Sequence, residues 1–101
     1  MIYYKGENFD ELVKNGIILV DFYADWCGPC KMLGSVLETI EDKDIKILKV
    51  NVDEYSDLAN RFRIMSIPHL IFFKDGKEIS SSVGFIDKGM LEDKINEVKS
   101  V

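Results

Sequence analysis

The spacing of apolar residues changes several times along the chain, and each change marks a new element. Between Glu7 and Asn15 they recur every three or four residues, which predicts a short amphipathic helix ended by Gly16. The segment from Ile17 to Tyr23 is almost continuously apolar and rich in branched side chains, as in a strand covered on both faces. We therefore expect this segment to be the central strand of a parallel or mixed sheet.

A helix and a second buried strand are predicted next. The helix follows Cys30 and is expected to continue to about Asp42, and the strand extends from Ile45 to Val52. The apolar face of the helix contains Met32, Leu33, Val36, Leu37 and Ile40. A helix between two strands is what a right-handed parallel crossover requires, so these elements predict a β-α-β unit.

The last part of the chain predicts a short helix, a hairpin and a final helix. The short helix is indicated by Leu58, Ala59 and Phe62. Strand-like runs at 70–73 and 79–83 flank a segment with Asp75-Gly76, a strong hairpin signal. Asp87 is a candidate N-cap for a final helix, whose buried stripe is Leu91, Ile95 and Val98. The pattern as a whole predicts an α/β fold with a central mixed sheet of four to five strands, parallel first and antiparallel last, and helices on both faces.

Length and composition limit the classes of function. The 101 residues fit a single domain, 1–101, and 47% of them are apolar, enough for a core without structural disulfides or metal. The net charge is -5, with basic residues scattered among the acids, so a phosphate backbone would be repelled. We therefore expect no nucleic-acid partner.

Nothing in the sequence predicts contact with a membrane. The longest apolar runs, such as Ile17 to Val20, are far shorter than the roughly 20 residues of a membrane helix. The first residues lack the charged head and apolar stretch of a signal peptide. We expect a cytoplasmic protein, although a secreted form without its signal peptide would look the same. No feature indicates an obligate dimer, so we expect a monomer.

The two cysteines, Cys27 and Cys30, lie where the predicted central strand gives way to a helix. Unpaired N–H groups and the positive end of the helix dipole stabilise a thiolate there, most strongly at Cys27 in the first turn. The two intervening residues let the sulfurs meet within one turn, so a disulfide can open and close with little backbone movement. Pro29 stiffens this turn and is tolerated in it. The pattern predicts a thiol–disulfide exchange site.

Two other interpretations of the cysteine pair are a static disulfide and half of a zinc site. A structural zinc ion needs four ligands, and His69 is the only other strong candidate in the chain. A static bridge that closes so short a loop would add little stability. The redox interpretation is therefore favoured over both.

The segment from Val20 to Met32 closely resembles the active-site stretch of the thioredoxin family. Further similarities, in the family's order and spacing, are found at 49–53, 67–68, 73–76 and 83–84. The resemblance covers nearly the whole chain and implies the thioredoxin fold. It also implies a disulfide reductase without a bound cofactor, in which Cys27 attacks disulfides of target proteins and Cys30 resolves the mixed disulfide. A thioredoxin reductase would then recycle the protein.

Asp21 is a carboxylate within an otherwise apolar strand. Burial should raise its pKa toward neutrality, unless it marks a frayed and exposed strand end. The resemblance makes Asp21 the proton acceptor for Cys30, directly or through water, with Lys49 as its electrostatic partner. Without the resemblance, Lys49 would be interpreted as a solvated charge on a strand.

The resemblance also implies a substrate-binding surface around Cys27. A proline before a strand normally follows a trans bond, but similarity to the family implies a cis Ile67-Pro68 peptide packed against the cysteines. The adjoining backbone would hydrogen-bond an extended substrate segment. Core packing explains Phe85 as well as binding does. The implied substrate-binding residues are Trp26, Gly28, Pro29, Ile67, Pro68 and Gly84.

Three positions depart from the family's usual pattern. His69 follows Pro68 where threonine is common, Gly34-Ser35 replaces a helix-kinking proline, and Tyr23 stands where tryptophan is usual. None of these changes touches the exchange chemistry directly. Two other functions fit the same fold: a disulfide oxidant or isomerase, which the reducing-type Gly-Pro pair disfavours, and a binding module with incidental cysteines.

Overall fold

A five-stranded mixed sheet forms the centre of the computed structural model, which describes residues 1–101. The strands are β1 (Ile2–Tyr3), β2 (Ile17–Tyr23), β3 (Ile45–Asn51), β4 (His69–Lys74) and β5 (Lys77–Val83). The helices are α1 (Phe9–Leu12), α2 (Gly28–Glu38), α3 (Ser56–Arg61) and α4 (Lys88–Lys99). The predicted α/β fold is confirmed, and none of the helices is long and apolar enough to span a membrane.

The strand order is β1-β3-β2-β4-β5, which confirms β2 as the central strand. The pairs β1–β3 and β3–β2 are parallel, whereas β2–β4 and β4–β5 are antiparallel. The helix α2 connects β2 to β3 and completes the predicted crossover. The sheet is therefore parallel in its first part and antiparallel in its last, as the hydrophobic pattern predicts.

Two apolar cores lie on opposite faces of the sheet, because alternate residues of a strand point to opposite sides. Ile17 and Leu19 of β2 belong to the core that contains apolar residues of α2 and α4. Ile18, Val20 and Phe22 belong to the other core, with α1 and α3. The helices thus cover both faces of β2, as expected.

Two helices are shorter than predicted. The helix α1 begins after Asn8, whose side chain accepts a hydrogen bond from the Glu11 N–H, and it ends at Leu12. The helix α2 ends at Glu38 instead of about Asp42, because Thr39 and Ile40 bond to carbonyls only three residues back. Such bonds tighten and close the last turn. The apolar face continues beyond the helix because Ile40 still packs against the core.

The β4–β5 hairpin and the α4 N-cap confirm two local predictions. Asp75 and Gly76 have positive φ angles of 50° and 84°, as a two-residue hairpin turn with matching twist requires. The side chain of Asp75 also accepts a hydrogen bond from the Gly16 N–H at 2.8 Å, which ties the hairpin to the start of β2. The Asp87 side chain accepts from the Met90 N–H at 2.9 Å.

The strand β1 was not predicted, since its two residues are exposed and show no alternation of apolar and polar positions. It matters for the site because it pairs Tyr3 with Lys49. Along the α2 face of β2 and β3 the paired residues change from apolar to polar toward the carboxyl ends of the strands. The pairs are Ile17–Ile45, Leu19–Ile47, Asp21–Lys49 and Tyr23–Asn51.

Candidate active site

Cys27 and Cys30 form a disulfide at the N-terminus of α2. Their Cα atoms lie 5.2 Å apart, a usual separation for a disulfide. Cys27 is the N-cap residue, and Pro29 lies in the first turn, where the absence of an N–H breaks no helical hydrogen bond. The strand-to-helix turn therefore brings the two predicted sulfurs together.

The Cys27 sulfur is the one that faces the helix N-terminus. It accepts a hydrogen bond from the backbone N–H of Cys30 at 3.2 Å, one of the groups that the first turn leaves without a helical partner. When the disulfide is reduced, the same N–H group and the helix dipole stabilise a thiolate on Cys27. The geometry thus favours Cys27 over Cys30 as the nucleophile.

Exposure does not distinguish the two cysteines in the disulfide form. Cys27 is only 4% exposed and Cys30 only 2%. Both belong to a small apolar cluster with Ala24, against which Tyr23, Val52 and Ile67 pack. Neither cysteine is therefore exposed to solvent in this redox state.

The Ile67-Pro68 peptide is cis, as the resemblance implies, and it lies beside the disulfide. The Ile67 carbonyl oxygen is 3.9 Å from the Cys27 sulfur, so a Cys27 thiol can donate to it once the disulfide is reduced. The Gly84 N–H donates to the Pro68 carbonyl at 2.8 Å, and Gly84 has a φ of 90°, which favours glycine. The fold therefore brings these three predicted residues together near Cys27.

Exposed residues surround the turn that holds the cysteines. Trp26 is 72% exposed, and Gly28 and Pro29 are also exposed. The indole Nε1–H of Trp26 donates to the Asp53 carboxylate at 2.9 Å, which fixes the ring. Sequence reasoning assigned no role to Asp53, which lies 27 residues away. Phe85 is 42% exposed, so core packing does not explain it, and its neighbour Ile86 is buried instead.

Asp21 and Lys49 are register partners on adjacent strands and form a buried ion pair. The Lys49 Nζ lies 3.4 Å from Oδ2 of Asp21, with 8% and 0% of the respective side chains exposed. The alternatives of a frayed strand end and a solvated lysine are therefore wrong. The contact lacks hydrogen-bond geometry, and neither carboxylate oxygen accepts a hydrogen bond from the protein.

Burial raises the pKa of Asp21 to about 6, because the attraction of Lys49 only partly offsets the loss of hydration. The predicted shift toward neutrality is confirmed. A carboxyl group of this kind exchanges protons near physiological pH, as a proton acceptor in catalysis must.

A cavity of about 320 Å³ lies between Lys49 and the second cysteine. Its lining consists of Tyr23, Ala24, Asp25, Cys30, Lys31 and Lys49. Lys49 contacts Asp21 and also faces this cavity, which is large enough to hold water. The helix α2 passes close by: a Cβ atom on Gly34 would lie 3.2 Å from the Lys49 Nζ. In the sequence, Gly34 stands out only because a helix-kinking proline is absent there.

His69 lies on the opposite face of the sheet from Asp21. Asp21 is paired with Leu70, whose side chain belongs to the core that includes α2, whereas His69 is paired with Phe22 of the other core. Its pKa is lowered by partial burial, against an opposing effect of Glu78. No group of three or more His, Cys, Asp or Glu side chains is arranged to hold a metal ion.

Comparison with known proteins gives consistent matches over most of the chain. The Thioredoxin family model matches residues 1–97. The thioredoxin of Chlamydia pneumoniae is 47% identical over 94 residues, which cover 91% of this chain and 92% of the relative. The thioredoxin of Bacillus subtilis is 40% identical over 94 residues, 90% of each chain.

A solved structure agrees with these sequence matches. A mutant thioredoxin from Halobacterium salinarum NRC-1 has a TM-score of 0.87 and 39% identity, and the match covers 95% of this chain and 88% of that chain. The fold, the cysteine turn and the matched length all point to one group of thiol–disulfide oxidoreductases: the chain belongs to the thioredoxin family.

Proposed function

We propose that this chain, as a thiol–disulfide oxidoreductase of the thioredoxin family, reduces protein disulfides with Cys27 as the attacking and Cys30 as the resolving cysteine. The observation that carries this assignment is the position of Cys27 at the N-cap of α2, where its sulfur accepts the Cys30 N–H. That position stabilises a thiolate on Cys27 and not on Cys30. The Gly28-Pro29 pair between them supports a reducing role over an oxidising one.

The exchange proceeds in two steps. The Cys27 thiolate attacks one sulfur of the target disulfide, whose other sulfur leaves and takes up a proton. The Cys30 thiol then loses its proton and attacks the Cys27 sulfur of the mixed disulfide, which releases the second target sulfur. Two electrons pass to the target, and the Cys27–Cys30 disulfide remains. The structure contains the chain in this disulfide form.

We propose that the Asp21 carboxylate accepts the proton of Cys30 in the second step and that the Lys49 ammonium stabilises this carboxylate before it takes up the proton. Two observations support this role: the pKa of Asp21 is raised to about 6 by burial, and Lys49 faces the cavity that Cys30 also lines. Water in that cavity provides a path for the proton between Cys30 and the pair.

The target binds, in this proposal, to the surface formed by Trp26, Gly28, Pro29, Ile67, Pro68 and Gly84. The support is that these residues surround or adjoin the Cys27 sulfur, and that Trp26, Gly28 and Pro29 are exposed. An extended segment of the target would pair with backbone groups beside Pro68. The apolar indole would contact the target's side chains.

We further propose that a thioredoxin reductase recycles this chain. The chain would act as a single-domain monomer in the cytoplasm. A disulfide reductase must be re-reduced after each turn, and reducing compartments maintain protein thiols. The measurement is the re-reduction of the oxidised chain by a thioredoxin reductase. An oxidised pool that persists with an active reductase would contradict this part of the proposal.

The test of the exchange function is a Cys30→Ser variant mixed with an oxidised target protein such as insulin. We expect a stable mixed disulfide between Cys27 and the target on nonreducing electrophoresis, because no second thiol can resolve it. The matched control is Cys27→Ser, which should trap nothing. Absence of trapped complex from the first variant, or equal trapping by both, would contradict the assignment. If the chain were a binding module with incidental cysteines, the wild-type protein would not reduce insulin.

A further inference from the structure

The Lys49 ammonium rests on the face of an aromatic ring as well as beside Asp21. Its Nζ lies 4.5 Å from the ring centroid of Tyr23 and 5.9 Å from that of Tyr3. Both distances fall within the range of about 6 Å over which a cation is attracted to an aromatic face. The ring of Tyr3 meets that of Tyr23 edge to face, with centroids 6.3 Å apart, and so supports the closer ring.

The Tyr23 ring also contacts the cysteines. It packs against the cluster formed by Ala24, Cys27 and Cys30 and lines the cavity that Cys30 and Lys49 share. On the other side of the ammonium, α2 presents Gly34, where a Cβ atom would lie 3.2 Å from Nζ. The long lysine side chain is therefore confined between a ring, a helix backbone and a carboxylate. That confinement explains why only 8% of it is exposed.

The groups that surround this ammonium come from every neighbouring element. The strand β4 faces Asp21 with the apolar Leu70, so it adds no charge. Lys49 is the only charged residue that shifts the pKa of Asp21. The titratable groups around the ammonium and its cavity are Tyr3 on β1, Asp21 and Tyr23 on β2, Asp25 in the turn, and Cys30 and Lys31 on α2.

We propose that Tyr23 is a positioning residue for the resolving step: its ring face holds the Lys49 ammonium against Asp21 and thereby sets the pH range in which Asp21 accepts the Cys30 proton. The inference rests on the proposed roles of Cys30 and Asp21. It adds to them a residue that carries no proton in the reaction and acts only through Lys49.

Loss of the Tyr23 ring removes the closer of the two aromatic faces that, together with Asp21, fix the ammonium. The lysine side chain has several rotatable bonds, so Nζ can then turn into the cavity and toward water. Asp21 would lose the charge that opposes its desolvation and would stay protonated to higher pH. We expect the acid limb of the pH profile for mixed-disulfide resolution to move upward by about one pH unit.

The experiment compares Tyr23→Leu with Tyr23→Phe. The phenylalanine variant keeps the ring and should show the wild-type pH profile of resolution. Tyr23→Met is the second ring-free variant and serves if Tyr23→Leu does not fold. Two quantities are measured in each: the pH dependence of single-turnover resolution, and the titration of the Asp21 carboxyl carbon by NMR in the reduced protein. The control Tyr55→Leu removes a half-buried ring that packs on the other core and should move neither quantity.

A Lys49→Met background separates positioning from a general structural effect. We expect Tyr23→Leu to leave the Asp21 titration unchanged there, because the ammonium that the ring holds is absent. A shift of the same size in both backgrounds, or no shift in the wild-type background, would overturn the inference. The carboxyl titration does not require turnover. If the wild-type protein resolved no mixed disulfide, the proposed function would fail while the positioning role could still be measured.

Discussion

The carboxyl group of Asp21 is fully buried, and the Lys49 ammonium 3.4 Å away is the only charge that offsets its desolvation. No hydrogen bond from the protein satisfies either oxygen. An ionised carboxylate in such a place is unfavourable for folding, because its hydration is lost and only partly replaced. The residue that suits proton transfer is therefore one that lowers the free energy of unfolding at neutral pH.

Asp21→Asn should stabilise the protein increasingly as the pH rises from about 4 to about 7. The folded pKa of about 6 lies above the ordinary value of 3.8, so the folded state holds the proton more tightly than the unfolded state. Below both pKa values Asp21 is protonated, and its ionisation does not lower the free energy of unfolding. Above pH 6 the ionised group lowers the free energy of unfolding by the full amount, on the order of 3 kcal/mol at most. Asparagine stays neutral throughout. Urea denaturation at pH 4 and 7.5 measures the change.

The control for this experiment is Asp93→Asn, at an exposed position of α4. A stability difference between Asp21→Asn and wild type that is the same at both pH values would contradict the buried-carboxylate account. The same variant should form the mixed disulfide normally but resolve it more slowly near neutral pH. Equal single-turnover resolution rates would remove Asp21 from the mechanism.

The sequence predicts the burial of Asp21 better than that of its partner. Asp21 has apolar neighbours on both sides, so local pattern alone places it inside a covered strand. Lys49 is buried because the β2–β3 register sets it opposite Asp21, and register between distant strands cannot be derived from one local segment. The close approach of Gly34 to Lys49 and the hydrogen bond from Trp26 to Asp53 were missed because each also joins residues that are distant in the sequence.

At the level of elements, local signals predict which structures form, while their ends depend on single hydrogen bonds. The N-cap of α4, the hairpin and the crossover could all be predicted from residue type and spacing. The end of α2 could not be predicted in this way, since its apolar face continues past Glu38 although the helical hydrogen bonds end there. The hairpin turn also makes a contact outside itself, from Asp75 to Gly16.

Asp75→Ala should lower the free energy of unfolding by about 1–2 kcal/mol. Alanine loses the hydrogen bond from the Gly16 N–H at 2.8 Å and is disfavoured at a φ of 50°. Asp75→Asn is the matched control, because asparagine keeps an acceptor oxygen and tolerates positive φ. Urea denaturation of both variants measures the difference. Equal destabilisation by the two substitutions would show that the turn does not depend on this side-chain contact.

At the level of the whole molecule, the sheet and α2 place an exposed apolar side chain next to the disulfide. This side chain is Trp26, and its indole is held by Asp53 on the segment after β3. A ring that is ordered before binding loses little conformational freedom when a partner covers it. This order supports the proposal that target proteins bind at Trp26.

Trp26→Ala should lower kcat/KM for a protein disulfide, and for re-reduction by a thioredoxin reductase, by about five- to thirty-fold, as for an interface residue that contributes 1–2 kcal/mol. A small synthetic disulfide, which does not cover the surface, should be reduced within about twofold of the wild-type rate. Met90→Ala removes an apolar side chain that is 53% exposed on α4 and is the control. Equal losses for the protein and the small disulfide would argue against docking.

Almost none of the surface of the two cysteines is open to water in the oxidised chain. Thiol exchange requires the attacking sulfur to reach its target in line, so a freely diffusing thiol such as glutathione meets a steric barrier there. A protein that first binds to the neighbouring apolar surface stays beside the disulfide long enough for its thiol to reach the Cys27 sulfur. We therefore expect exchange with small thiols in solution to be slow compared with exchange with protein partners. The partners, and not the small thiols, would then determine the oxidation state of this chain.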